Sequence, residues 1–362
     1  MPDTPLLMPD TPPPMPDTPP SIPDTPPPTS DTWDGQLTPA LTAYGRSATL
    51  ADARLLSLSE NATYLCTFTD TPDPLVLRLH RPGFRTLPQI RSELMWIERL
   101  RADGAVDTPA VVPTPAGEPA ASFPGSGGAL QHAALFEFAP GAEPDTTDFA
   151  DVMEVVGRET AALHEHASRW RRPDVFTRPD WDLDNLIGAA SLWGRWRDNP
   201  DVSPEGAEVL ARAEEKLTRA LDAYGRSPAV FGLIHGDLRA ANLLVAPDAV
   251  RLIDFDDCGT GWFLYDLACS LSFVEHDPRA AEWVAAWLRG YESRRPLREE
   301  DVGAVPALVM LRRLMLVAWT HKRGDTPFAA SLRPAFEARS VELARRYLAD
   351  DYLTAVRHEH RA

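Results

Sequence analysis

The segment His235-Gly-Asp237-Leu-Arg-Ala-Ala-Asn242 is followed twelve positions later by Asp254, within Ile-Asp-Phe-Asp-Asp. Oxygen-bearing side chains at these intervals suit transfer of a phosphoryl group. In that chemistry a carboxylate orients a hydroxyl and accepts its proton, while an amide oxygen and a second carboxylate hold magnesium against the phosphates.

The interval from Asp237 to Asn242 matches the protein-kinase pattern of H-R-D, four residues, then N, with Gly236 in place of the arginine. Residues 243–246 and 250–255 are short apolar runs flanking Pro247-Asp248, which predicts a hairpin. Such a hairpin carries Asn242 and Asp254 at its two outer ends, on the same side. Hard divalent cations take oxygen ligands presented in this way.

On these residues the chain resembles a known group of enzymes. HGDLRAANLLV with RLIDFDDCGTGWFLYDLA is similar to the aminoglycoside phosphotransferase and choline kinase family, which includes homoserine kinase-like small-molecule kinases. The resemblance spans about residues 50–345. It implies an α+β, bilobal protein-kinase-like fold, with a small antiparallel β lobe and a larger, mostly helical lobe. It also implies ATP and Mg2+, with Asp237 as base, Asn242 and Asp254 as metal ligands, and His235 bracing the catalytic loop.

The elements that would position these groups follow from periodicity. Strands are predicted within Ala48–Glu60, over Thr63–Thr69 and over Leu75–His80, where alternation puts Val76, Arg78 and His80 on one face. After Leu87-Pro88, a helix presents Ile90, Leu94, Ile97 and Leu100 as an apolar stripe with Glu93 beside it. A kinase small lobe pairs a strand cation on the α/β-phosphates with a glutamate of the following helix. Here those residues would be Arg78 and Glu93, with an ordinary surface pair as the alternative. Arginine in place of lysine stays charged and can grip phosphate with two donors.

No G-x-G-x-x-G occurs. The turn expected to cover the phosphates reads Ser57-Leu-Ser59-Glu60-Asn61-Ala62-Thr63, whose small polar residues can offer N–H groups and hydroxyls. Leu135-Phe-Glu137-Phe138-Ala-Pro-Gly141 is an apolar strand stopped by Pro-Gly. The resemblance makes it the link between lobes, where main-chain groups near Glu137 and Phe138 meet adenine. The preceding stretch, Val112–Gly128, is rich in Pro, Gly and Ala and is expected to be a mobile loop.

Beyond residue 141 the periods become helical, over Phe149–His166, Pro204–Gly225, Phe263–Val274, Ala280–Tyr291, Val302–Lys322 and Leu332–His358. His164 and His166 lie two apart, on different faces of a helix, and are read as structural rather than metal-binding. Asp266 resembles a family aspartate that braces the catalytic loop. Asp256 and Asp257 sit beside the metal position, and either could reach a second magnesium. Candidate walls for the acceptor are Trp181-Asp182, Trp193–Trp196, Trp262 and Glu275-His276-Asp277, although tryptophans on helices are more often core. Acidic and aromatic groups together would suit an amine.

A chain of 362 residues has core volume for two lobes. We read residues 1–34 as a disordered Pro-rich tail, 35–138 as the nucleotide-binding lobe and 139–362 as the catalytic and substrate lobe. Pro-Asp-Thr-Pro recurs at 2–5, 9–12, 16–19 and 23–26, a period set by proline rather than by core positions. With 36 basic and 53 acidic residues, the net charge of −17 weighs against nucleic acid or an anionic membrane as partner. It suits a cationic small molecule, or solubility alone. Cys66, Cys258 and Cys269 fit no pairing or metal spacing, pointing to a reducing cytoplasm. No signal peptide is visible, and Arg312-Arg313 interrupt the apolar stretch Val305–Trp319, so no membrane span is expected.

The function expected is ATP–Mg-dependent phosphorylation of a hydroxyl on a small molecule: an amino alcohol, a hydroxy amino acid or an aminoglycoside-like antibiotic. The alternatives are a catalytically silent nucleotide-binding regulator and a protein Ser/Thr kinase. The latter is disfavoured because D-F-G reads Asp254-Phe-Asp here and no A-P-E follows.

Overall fold

A computed structural model describes residues 30–125, 128–144, 149–247, 249–324, 326–333 and 335–353. The Pro-Asp-Thr-Pro repeats lie outside the described residues.

The small lobe is an antiparallel sheet of five strands: β1 (Leu50–Leu58), β2 (Ala62–Phe68), β3 (Leu75–Leu79), β4 (Ala121–Pro124) and β5 (Leu130–Glu137), in the order β1-β2-β3-β5-β4. Helix α1 (Ser30–Ala43) covers one face, burying Trp33, Ala40 and Leu41, with Tyr44 just after it, against Tyr64, Leu77, Leu79 and Phe123. Helix α1 thus starts within the stretch 1–34 expected as tail. Trp33 supplies the reason, since an indole 2% exposed repays the ordering of its helix.

The stretch expected as a mobile loop contains β4. Ala121 and Phe123 point inward while Ser122 and Pro124 point out, so this edge strand pairs with Leu130–Ala133. Helix α2 (Leu87–Ala102) opens on a capping box between Thr86 and Gln89 with Pro88 in its first turn. Its stripe of Ile90, Leu94, Ile97 and Leu100 joins the core of the large lobe. Glu93 is thereby carried, fully buried, beneath β3.

The large lobe contains α3 (Phe149–Arg169), β6 (Asp180–Trp181), α4 (Leu183–Ile187), α5 (Pro204–Tyr224), β7 (Phe231–Ile234), β8 (Leu243–Ala246), β9 (Ala249–Leu252), β10 (Gly259–Trp262), α6 (Tyr265–Ser270), α7 (Ala280–Glu292), α8 (Glu299–Lys322), α9 (Pro327–Leu332) and α10 (Ala335–Leu348). The fold is α+β, an antiparallel sheet joined to a helical region. Helix α8 is long and apolar enough to cross a membrane by length and composition, yet it is the buried centre of this lobe.

Two helices are shorter than expected. The run from Phe263 yields only α6, because Phe273 adopts a φ of 73°, which a helix cannot hold. The run from Leu332 is split, with α9 ending there and α10 starting at Ala335. The sequence has proline at 334, and the residue before a proline avoids helical geometry. The expected end of that run, at 354–358, lies outside the described residues.

Candidate active site

The segment His235–Asn242 links β7 to β8 and is fixed from below. Asp266, fully buried at the start of α6, accepts the His235 N–H at 2.9 Å and the Gly236 N–H at 2.8 Å, and meets His164 Nε2 at 3.0 Å. Burial lowers the pKa of His164 against the pull of Asp266. His164 Nδ1 pairs with the Tyr291 hydroxyl at 3.0 Å, so both ring nitrogens are committed within the protein. Gly236 has a φ of 82°, and a Cβ there would lie 2.3 Å from the Asp257 carbonyl oxygen. Only glycine fits at that position.

His235 Nε2 pairs with the Ile253 carbonyl at 3.1 Å, and the ring packs 4.5 Å from Phe255. It is fully buried and, like Asn242 and Arg78, does not itself border the cavity.

The hairpin β8–β9 pairs Leu243 with Leu252, and the Ile253 N–H donates to the Asn242 carbonyl at 3.0 Å. The second strand stops at Leu252 rather than 255, because Asp254 turns into the left-handed region with φ 60°. Such a conformation is uncommon outside glycine and clusters at functional sites. Asn242 and Asp254 thus sit at the open ends of one hairpin.

Asn242 Nδ2 donates to the Asp237 carbonyl at 2.8 Å and to Asp237 Oδ2 at 2.9 Å. Its amide oxygen is left as the acceptor available to a cation. Among the described residues, no group of three or more His, Cys, Asp or Glu could hold a metal by itself. One amide oxygen and one carboxylate fit magnesium that completes its shell with phosphate and water.

Asp237 and Asp254 border one cavity of about 680 Å³. Arg312 of α8 binds Asp237 Oδ1, and Arg239 Nε lies 3.2 Å from Oδ2. Burial opposes the charge on Asp237, but these two guanidinium groups outweigh it and hold the carboxyl below its ordinary value. Arg312 is itself tethered, with Nε donating to Ser272 Oγ at 3.0 Å.

Arg78 Nη2 meets Glu93 Oε1 at 2.6 Å and Arg78 Nη1 meets Asp254 Oδ1 at 3.1 Å, with the guanidinium 5.2 Å from the Phe136 ring centroid. The pair is buried between sheet and α2, which overturns the reading of an ordinary surface pair. Replacing Arg78 with methionine would leave the Glu93 carboxylate buried without its partner. A loss of about 3–5 kcal/mol is expected in urea unfolding, with Arg78→Lys retaining part of it.

Asp256 and Asp257 also border the cavity. Asp256 accepts from Asn61 Nδ2 at 3.1 Å, and Arg85 Nη2 binds Asp257 Oδ1 at 2.5 Å. Burial pushes the Asp257 carboxyl up to about 7, against the pull of Arg85. At the link, the Glu137 N–H is spent on the Ala110 carbonyl at 2.9 Å, because the segment around Val111 runs alongside the end of β5. It is therefore not a free donor for adenine. Phe138, 45% exposed, is the open position there.

Most of the expected acceptor walls are elsewhere. Glu275 is fully buried on Arg313 at 2.7 Å, Trp196 donates to Glu214, Trp262 donates to the Gly225 carbonyl, and Trp181 donates to the Asp257 carbonyl. Each is consumed by core packing and hydrogen bonding. Trp193 does face the cavity, with Phe273, Met315, Leu316, Trp319 and Phe328. The contribution of α8 escaped the sequence reading. Its signal was present, since two consecutive arginines in an apolar helix demand buried partners.

The fold and this convergence of groups define a kinase-like small-molecule phosphotransferase that uses ATP with a divalent cation. A model of the phosphotransferase enzyme family matches residues 52–300, and the chain belongs to that family. It is 23% identical over 300 residues to the amicoumacin kinase of Bacillus subtilis (strain 168), covering 80% of this chain and 85% of that protein. It is 26% identical over 317 residues to a homoserine kinase of Caulobacter sp. (strain K31), covering 84% and 91%. A solved structure of a microcompartment-associated aminopropanol kinase superposes with a TM-score of 0.81 at 42% identity, covering 90% of this chain and 99% of that one.

Proposed function

We propose that the chain phosphorylates the hydroxyl of a small amino alcohol, taking the γ-phosphoryl group of ATP. In this reading Asp237 accepts the hydroxyl proton as the new O–P bond forms and the bond to the leaving ADP oxygen breaks. Asn242 and Asp254 would hold the metal, and Arg78, oriented by Glu93, would meet the α/β-phosphates. Magnesium, when bound, would offset the charge developing on the phosphate oxygens.

The observation that carries the reading is that Asp237, Asp254 and the aromatic group Trp193, Phe273, Trp319 and Phe328 border one cavity. Aromatic faces with a carboxylate nearby suit an ammonium group through cation–π and ionic attraction. The likeness to an aminopropanol kinase supports the same acceptor class. Three free, buried thiols support a reducing compartment.

The test is ADP release with MgATP and a panel of amino alcohols, hydroxy amino acids and aminoglycosides, each beside a neutral isostere lacking the amine. An amino alcohol should exceed its isostere in kcat/KM by about tenfold to hundredfold, the worth of a desolvated cation–π contact with an ionic partner. Equal use of the neutral alcohol would remove the amine from the proposal.

A further inference from the structure

The turn between β1 and β2 does not hang free over the cleft. Glu60 binds Arg323, the residue just past the end of α8, through two donors, Nε to Oε1 and Nη2 to Oε2, across 263 residues of sequence. The side chains are 12% and 4% exposed, so water screens the pair little. Arg81 adds a third donor to Glu60 at 3.4 Å, and the neighbouring Asn61 reaches Asp256 of the large lobe at 3.1 Å. The turn is therefore bonded downward through two adjacent residues.

Arg323 is equally committed on its own side. Its N–H donates to the Trp319 carbonyl at 2.8 Å, its carbonyl accepts the Thr326 N–H at 2.8 Å and hydroxyl at 2.9 Å, and its guanidinium lies 5.8 Å from the Trp193 ring centroid. Trp193, Trp319, Thr326 and Phe328 border the same cavity as Glu60 and Arg323. The group holding the turn is thus a part of the aromatic floor. An arginine fork suits this task, because its planar donors match both carboxylate oxygens and so fix orientation as well as distance. Separating the lobes would break both bonds of the fork and leave Glu60 with Arg81 alone.

We propose that Glu60 and Arg323 are positioning residues for phosphoryl transfer: a cross-lobe latch that sets the phosphate-covering turn at Ser59–Asn61 by the aromatic floor of the acceptor pocket. The inference rests on the phosphotransferase reading of the site but not on the identity of the acceptor.

The test uses the full chain with Glu60→Gln, Arg323→Met, Arg323→Lys and the combination of the first two. Spin labels are placed on Asp73→Cys in the β2–β3 turn and Glu342→Cys on α10, both exposed, while the three native cysteines are buried. The label-to-label distance by pulsed EPR and the affinity for MgATP by calorimetry are the readouts.

The latch predicts one narrow distance in the parent and a longer, broader distribution in Glu60→Gln and Arg323→Met. It predicts MgATP affinity about tenfold weaker in each, and no further loss in the combination, as for two residues acting through one contact. Arg323→Lys, which keeps one charged hydrogen bond, should fall between. Should Arg323→Met not fold, Glu60→Gln carries the test, because it keeps the side chain's shape. Parental distance and affinity in the variants, or losses that multiply in the combination, would overturn the latch alone. A parent that binds no MgATP at all would remove the donor-side reading and the latch with it.

Discussion

Asp237→Asn lowers kcat by about 10²–10⁴, the usual worth of a positioned general base, while leaving magnesium-dependent ATP affinity within a few-fold of the parent. The substitution keeps the side chain's shape and its contact with Asn242, so the hairpin that presents the metal ligands should be undisturbed. What it removes is the acceptor for the hydroxyl proton and the charge that Arg312 and Arg239 face. Turnover is measured as ADP release with the best acceptor of the panel, and nucleotide affinity by calorimetry. A variant retaining a tenth or more of parental turnover would show that Asp237 is not the base.

Asp254→Asn has the complementary signature. Magnesium-dependent ATP affinity should fall about 10²-fold, equivalent to about 3 kcal/mol, as when one partner of a close charge pair is removed. Without magnesium, the affinity should hardly differ from the parent. Asparagine is preferred to alanine because Asp254 sits at φ 60°, a conformation that asparagine tolerates and alanine resists by roughly 1–2 kcal/mol. The change thus reports on charge rather than backbone strain. Arg78 keeps Glu93 as a partner, so the small lobe should remain folded. Equal losses of nucleotide affinity in the two variants would contradict the division of roles between proton acceptor and metal ligand.

The two experiments are separable because the groups reach the cavity from different supports. Asp237 is held by the loop beneath it, through Asp266, and by α8 from the side. Asp254 is held by the hairpin and by the small lobe through Arg78.

Sequence alone identified whatever depends on short-range geometry. Asn242 and Asp254 flank one hairpin, so their separation in space is set by strand pairing over a few residues. Glu93 and Arg78 were legible for a similar reason, being 15 residues apart on a strand and the next helix, each with a clear period. The stripe on α2 also foretold which face is buried.

Tertiary structure decided what joins distant segments. Arg312 reaches Asp237 across 75 residues, and Arg323 reaches Glu60 across 263. No local pattern states which buried carboxylate an arginine will find. The same holds for the acceptor walls, where Trp196, Trp262 and Glu275 looked as suitable as Trp193 until packing assigned them to the interior. Periodicity reports that a side chain is buried. Whether it is buried in core or turned toward a cavity depends on how the strands and helices of two lobes close around each other, and that information is held in long-range packing rather than in spacing.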